Sequence, residues 1–287
     1  MTMRVGKSGV ISSILGSILV AATFVPIISE VAATTINHRP VINTPVNSQV
    51  FTFDAGQGIE AKISIGASDI DGDFIDIKNT PLPAGAFYEF VEQFEGDTGA
   101  SITFEDGHPF VGTYQVTFTA VDDKGATSRP VTIKIKVIPP DYLDLAAARL
   151  EEGPGHIWMV ARVFGEVAPT IQRPAYGFAA LTTNGQNILA VATHAGLLDS
   201  EDQSDPGDDT LHTHIIDVVS SKDCANGMKV ASASFRSPGT LEVLEHKVIV
   251  RAVSVDRVGD LTGTVISFIL TFENGNTCVN PVDKMTT

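Results

Sequence analysis

Two groups of side chains in this sequence have the types and spacing to do chemistry. The first is Ala67-Ser68-Asp69-Ile70-Asp71-Gly72-Asp73, three aspartates at alternate positions with one glycine among them. That pattern brings several hard oxygen ligands within reach of one point and suits calcium, which takes about six to eight oxygens. It does not suit general acid–base catalysis, which needs one carboxyl group in a drier setting than its partner. The competing reading is a set of turn aspartates that cap their own backbone.

The second group is His212-Thr213-His214. Histidines at i and i+2 of a strand project from one face, about 7 Å apart at their roots. They can meet one zinc or copper ion from that face. His194 ends an earlier candidate strand, so His194, His212 and His214 form a conceivable three-ligand set, with His246 a fourth candidate. A chance histidine pair on a strand face is the alternative, because neither a zincin-like helical Glu nor a blue-copper Cys or Met accompanies it. Between His194 and His212 run Asp199, Glu201, Asp202, Asp205, Asp208 and Asp209, six carboxylates in eleven residues. Their spacing is not that of an EF-hand. The stretch reads as a solvated loop, with a second calcium site as the other option.

The elements that must position these groups are strands. Short runs of Phe, Val, Ile and Thr recur between turns in a chain with 25 Gly and 15 Pro, and long helical periodicity is nearly absent. An all-β fold follows. At 287 residues and 43% hydrophobic content the chain is long enough for two domains with separate cores. Its formal net charge of −15 argues against nucleic acid and anionic membrane surfaces as partners. Two cysteines, Cys224 and Cys278, behind an export-type N-terminus predict a disulfide; two buried free thiols are the alternative.

Residues 1–33 read as a signal peptide or membrane anchor. Arg4 and Lys7 precede an apolar run from Val10 to Ile28, and Val31-Ala32-Ala33 offers small residues before Thr34. The apolar run is about 19 residues, enough to cross a bilayer if it is retained. Lys7-Ser8-Gly9 followed by Val10-Ile11-Ser12-Ser13-Ile14-Leu15-Gly16 also resembles the start of archaeal type IV pilin-like proteins, although Ser8 departs from the usual Gly or Ala. In that family a peptidase cuts before the hydrophobic helix, which serves as an assembly stem.

Residues 37–138 hold about seven strand-like runs. The clearest are Tyr114 to Ala120 and Val131 to Val137, in which Val131, Ile133, Ile135 and Val137 alternate with Thr132, Lys134 and Lys136. That count in about 100 residues describes a β-sandwich. Three blocks occur in order: the aspartate loop, Leu82-Pro83-Ala84-Gly85-Ala86-Phe87, and Gly112 to Asp122 followed by Gly125. Together they resemble the bacterial and archaeal Ig-like module related to the cadherin-like domains of dystroglycan. The resemblance implies an Ig-like sandwich used as a surface spacer or adhesion module. It also implies calcium held by Asp69, Asp71 and Asp122, with Asp73 and Glu60 as further candidate ligands.

Residues 139–155 read as a linker. Pro139-Pro140 stiffens it, and Leu143, Ala146, Ala147 and Leu150 predict a short helix ended by Gly153-Pro154-Gly155. Strand signals resume from Ile157, so residues 156–287 are expected to form a second β-sandwich or barrel. The combined expectation is a non-enzymatic exported protein, secreted or at the cell surface, in which a calcium-stabilised Ig-like module carries a second β-domain. Its role would be adhesion, surface structure or ligand binding, with other surface proteins or glycans as partners and membrane contact only through the N-terminal helix. The alternatives are a pilin-like or filament subunit, and a metal-dependent enzyme or metal-binding protein using the histidine cluster.

Overall fold

Alternation of aliphatic and polar side chains builds the first half of the molecule. Its strands are β1 (Val41–Thr44), β2 (Val50–Asp54), β3 (Ile63–Ser68), β4 (Ile75–Asn79), β5 (Ala86–Phe94), β6 (Asp97–Phe104), β7 (Gly112–Asp122) and β8 (Val131–Ile138). They make two four-stranded sheets, ordered β1-β3-β6-β5 and β2-β8-β7-β4. Pairing is antiparallel except between β2 and β8, which run parallel. Ile63 and Ile65 of one sheet and Phe118, Ile133 and Ile135 of the other are buried in the shared core. Tyr114, near the start of β7, donates its hydroxyl to the Phe110 carbonyl at 2.9 Å. Ig-like sandwiches make such a tyrosine corner at the equivalent place.

The computed structural model describes residues 36–167, 174–193, 210–234 and 236–287. From Asn37 onward the chain forms one compact unit. The expected signal or anchor segment lies outside the described residues. Within them there is no α-helix.

The linker helix expected over 141–152 is replaced by a turn and a strand. Leu143 and Asp144 donate their backbone N–H groups to the Pro140 carbonyl, and β9 (Leu145–Gly153) then pairs antiparallel with β10 (His156–Val163). The Gly153-Pro154-Gly155 stretch is a hairpin loop rather than a helix stop. The apolar residues of this stretch satisfy a period of two as well as a helical one. Leu145 is buried and Ala148 and Leu150 are half-buried, while Ala147 and Arg149 face outward. A partner strand within hairpin reach decides between the two, because tertiary pairing overrides a weak helical preference.

The remaining strands are β11 (Ala175–Thr182), β12 (Ile188–Ala192), β13 (His212–Ser220), β14 (Met228–Ala233), β15 (Thr240–Leu244), β16 (Lys247–Ser254), β17 (Leu261–Glu273) and β18 (Asn276–Thr286). One sheet is ordered β15-β16-β10-β9, and β11-β12-β13-β14-β18-β17 close into a barrel. Of the barrel strands, β11, β12 and β17 read as nearly unbroken apolar runs because both their faces are covered. Tyr176, Phe178, Leu189, Val191, Val265 and Ile269 pack outward into the core that includes Met159, Val248 and Val250 of the neighbouring sheet. Their alternates, among them Ala179, Ala190, Ile216, Ile266, Phe268 and Val279, form a separate cluster inside the barrel.

The barrel closes between β14 and β18 through one residue pair, Lys229 with Cys278. A disulfide from Cys224 to Cys278, 54 residues apart, stands at that seam. Replacing both cysteines by alanine is expected to lower the unfolding free energy by about 4 kcal/mol on the chain-entropy account, measured by chemical denaturation.

The loop after β6 packs on the barrel. A Cβ at Gly107 would lie 2.5 Å from Thr271 Cγ2, so only glycine permits this approach, and its φ of +82° needs glycine as well. The next residue, His108, is buried against Phe110 with ring centroids 4.2 Å apart. Its ring nitrogens have no well-formed hydrogen bond. Burial pushes the imidazole pKa down, against weaker upward pulls from the Glu273 and Glu105 carboxylates and the Asp106 backbone. A lowered folded value means that the unfolded chain binds the extra proton first. The stability due to neutral His108 is therefore present above the unfolded value of about 6.5 and is lost as pH falls below it. Melting curves between about pH 7 and 5 are expected to fall more steeply in the wild type than in His108→Phe.

Candidate metal centre

Strand register assembles the aspartate loop. Val41 of β1 pairs with Ser68 at the end of β3, and carrying that register outward sets His38 opposite Asp71. The His38 backbone N–H donates to Asp71 Oδ2 at 2.5 Å, and His38 Nδ1 lies 2.8 Å from Asp71 Oδ1. From the other sheet, Ile75 of β4 pairs with Asp122 at the end of β7. The same register brings Lys124 to Asp73, with Nζ 2.6 Å from Oδ1. The β5–β6 turn supports the loop from below: Asp69 N–H donates to the Gly96 carbonyl at 2.7 Å. A Cβ at Gly96, whose φ is +78°, would stand 2.9 Å from the Asp69 carbonyl oxygen.

One carboxylate oxygen each from Asp69, Asp71 and Asp73 lies within 4.8 Å of the other two. Asp69 and Asp73 are only 7% and 8% exposed, and Asp122 only 4%. Part of the cluster is satisfied internally. Asp71 N–H donates to Asp69 Oδ1 at 2.8 Å, an Asx-type turn. Asp122 Oδ1 accepts the N–H groups of Lys124 and Ala126, and its Oδ2 accepts from Asn37 Nδ2 at 3.2 Å. Three buried oxygens have no partner: Asp69 Oδ2, Asp73 Oδ2 and Asn37 Oδ1. Burying an acceptor without a donor costs about 1–3 kcal/mol, and more when it is charged. Two carboxylate oxygens and one amide oxygen are hard ligands of the kind calcium takes. The residues fit the ion.

The charges around the cluster follow the same geometry. The backbone N–H and ring of His38 hold the Asp71 carboxyl below the usual carboxylate range. The Asp73 carboxylate raises the Lys124 ammonium, with smaller contributions from Asp123 and Asp71.

The other candidate ligands are placed apart. Glu60 ends the short turn Gly58–Glu60 before β3, whereas Asp69 follows that strand's far end. A six-residue strand spans about 20 Å, so Glu60 stands at the opposite end of the sandwich. Asn37, His38 and Lys124 carry no metal-ligand spacing in the sequence. Only the register of β1 on β3 and of β4 on β7 brings them in.

His212 and His214 continue the inward row of β13 that holds Ile216 and Val218. His214 is buried, and the two rings pack edge to face with centroids 4.5 Å apart. His212 Nδ1 lies 2.8 Å from the Thr210 carbonyl oxygen. His246 Nδ1 lies 2.6 Å from the Gly165 carbonyl oxygen. His194 and the acidic stretch Asp199 to Asp209 lie outside the described residues. Among the described residues, the aspartate loop is the one place where three potential ligands of the His, Cys, Asp or Glu type converge.

No family model matches this chain. No curated protein matches it either. Among solved structures it is similar to the D00–D0 domain of intimin, with TM-score 0.28 and 13% identity over 85% of this chain and 98% of that one. It is also similar to extracellular cadherin domains 1–4 of protocadherin gamma B7, with TM-score 0.34 and 10% identity over 87% and 76%. A nucleoside hydrolase-related hypothetical protein from Saccharophagus degradans has TM-score 0.25 and 16% identity over 35% of this chain. This chain spans about a quarter of that protein, 26% of its length. Scores this low carry no argument about family, partner or activity.

The Asp71 shift has a sign that can be checked. A lowered folded pKa contributes stability that is present above the unfolded value of about 3.9 and lost as pH falls through the folded one. An NMR titration is expected to give Asp71 a lower midpoint in the wild type than in His38→Ala. Equal midpoints would remove the His38 ring as a contributor and leave its backbone N–H as the cause.

Proposed function

We propose that this chain is a non-enzymatic exported protein, secreted or held at the cell surface, whose first sandwich is rigidified by calcium at Asp69, Asp71 and Asp73. Its role is adhesion or ligand binding, and the second β-unit is the part it presents. The convergence of one carboxylate oxygen each from Asp69, Asp71 and Asp73 within 4.8 Å, with Asp69 Oδ2 and Asp73 Oδ2 buried and without donors, carries the calcium assignment. Asp122 braces the site by holding Asn37 and the turn of Lys124 and Ala126. Lys124 neutralises Asp73 when the ion is absent and yields that oxygen when it binds.

The Cys224–Cys278 bond supports the compartment, because disulfides persist in oxidising surroundings outside the cytosol. It also spends both thiols of the chain, which leaves none for nucleophilic catalysis. Other surface proteins or glycans are the proposed partners, in keeping with a formal net charge of −15, which disfavours nucleic acid.

Thermal unfolding with and without calcium tests the assignment. At about 100 times its dissociation constant, an ion that binds only the folded state adds about 2.7 kcal/mol. For a unit of this size that raises Tm by roughly 5–10 °C. Asp69→Asn combined with Asp73→Asn is expected to abolish the rise. A wild-type Tm that ignores calcium would refute the site.

A further inference from the structure

The interior of the barrel is a second place where the molecule can hold something, and it owes nothing to the aspartate loop. We propose that the lumen binds a small, mainly apolar molecule with one anionic end, of the class of medium-chain carboxylates. The lumen contains a cavity of about 600 Å³, within the roughly 300–1,000 Å³ that encloses a small-molecule ligand. Residues of all six barrel strands line it, including Ala179, Ile188, Ile216, Met228, Phe268 and Val279. Alanine stands at 175, 179, 190 and 192 on the inward rows of β11 and β12. Larger aliphatic side chains at those positions would narrow the lumen. Of these four, Ala179 lines the cavity, and its small side chain leaves room there that Phe268 and the isoleucines do not take.

The cavity opens at one rim, where Gly185, Ser220 and the β18 residues Asp283 and Lys284 line it. The two acidic and basic groups there are not equivalent. Asp283 is already committed, since its Oδ2 accepts the Leu145 N–H and its Oδ1 accepts the Lys284 N–H, each at 2.8 Å. The Lys284 side chain is exposed and enters no ion pair among the described residues. An alkyl chain in the lumen would leave its carboxylate at the rim beside that ammonium. With Asp283 turned to the Leu145 N–H and the exposed Lys284 ammonium unpaired among the described residues, the rim favours an anionic end over a cationic one, and the apolar walls exclude a sugar or a nucleotide, whose polar groups would lose water without replacement.

The test is a fluorescence titration of the purified full-length chain with 1-anilinonaphthalene-8-sulfonate, followed by displacement with decanoate and with decanol. The expected result is saturable binding at one site and displacement by both. Val218→Trp at the half-buried rim and Ala179→Phe deeper inside are each expected to weaken binding about tenfold or more, because they overfill the lumen. Val218→Trp keeps the test decisive if Ala179→Phe does not fold. Lys284→Met is expected to weaken decanoate several-fold and to leave decanol unchanged. Non-specific uptake on other apolar surface is common to all variants and cancels in the comparison. Binding that does not saturate, or that neither filling variant alters, overturns the lumen site. Equal effects of Lys284→Met on decanoate and decanol overturn the anionic end.

Discussion

The described fold depends on one constraint more than any other: β17 is buried on both faces from Val265 to Thr271. Ile266, Phe268 and Leu270 face the barrel interior, while Val265 and Ile269 belong to the core shared with the other sheets. Its two edges are occupied by β11 and β18. The polar groups on this strand are therefore satisfied within the protein. Ser267 donates to the Leu143 carbonyl at 2.6 Å, which ties the turn before β9 to the barrel. Thr271 accepts from Asn280 Nδ2 and donates to Glu273. The sandwich loop at Gly107 comes to rest on the same strand. A change of register in β17 would invert every one of these contacts, since a one-residue slip exchanges the two faces.

The acidic end of the sandwich has the opposite problem. Its backbone is paired, but its carboxylates outnumber their donors. Lys124 and His38 supply positive or donor character at Asp73 and Asp71, and turn N–H groups satisfy Asp122. What is left over is concentrated on inward-facing oxygens rather than spread over the surface. A merely solvated acidic turn would keep its free oxygens in water, where they cost nothing. Burial of the free ones is what separates a ligand set from a set of Asx-turns, and the loop has both at once: Asp69 caps Asp71 with one oxygen and leaves the other unmet.

Much of the fold was legible because the first half obeys period two. The alternation of Val131, Ile133, Ile135 and Val137 against Thr132, Lys134 and Lys136 is reproduced in the burial of β8. The all-β class and the cysteine pairing were equally readable. The failures have physical causes. The alanines of β9 fit a helix and a strand alike, and the partner β10 decides between them. The strand β18 is poorly legible in the sequence because Asn276, Asn280, Pro281 and Asp283 interrupt any apolar run. It is a strand because β17 pairs along its length, with a register shift next to Pro281. β5 is poorly legible in the sequence, since it is an edge strand whose Phe90, Val91 and Phe94 are all exposed and show no alternation. At the candidate site, the three aspartates announced themselves by spacing. Asn37, His38 and Lys124 did not, because cross-strand register rather than sequence proximity supplies them. Glu60 was an assignment by position within a family pattern, and the length of β3 removes it from the loop.

The two ends of the molecule meet a shortage of backbone pairing in different ways. Where β14 meets β18, one ladder pair holds the barrel shut, and a covalent bond at the same residue, Cys278, fixes the seam. Asn226 and Lys229 add side-chain bonds across it to Asn280 and Asn276. At the aspartate loop no disulfide is present, and the turn is held by charge and hydrogen bonds. The first solution is covalent and sensitive to reduction; the second rests on charge and on the donors that cross-strand register supplies. The proposed calcium site thus belongs to the sandwich, whereas the barrel seam is closed by the disulfide.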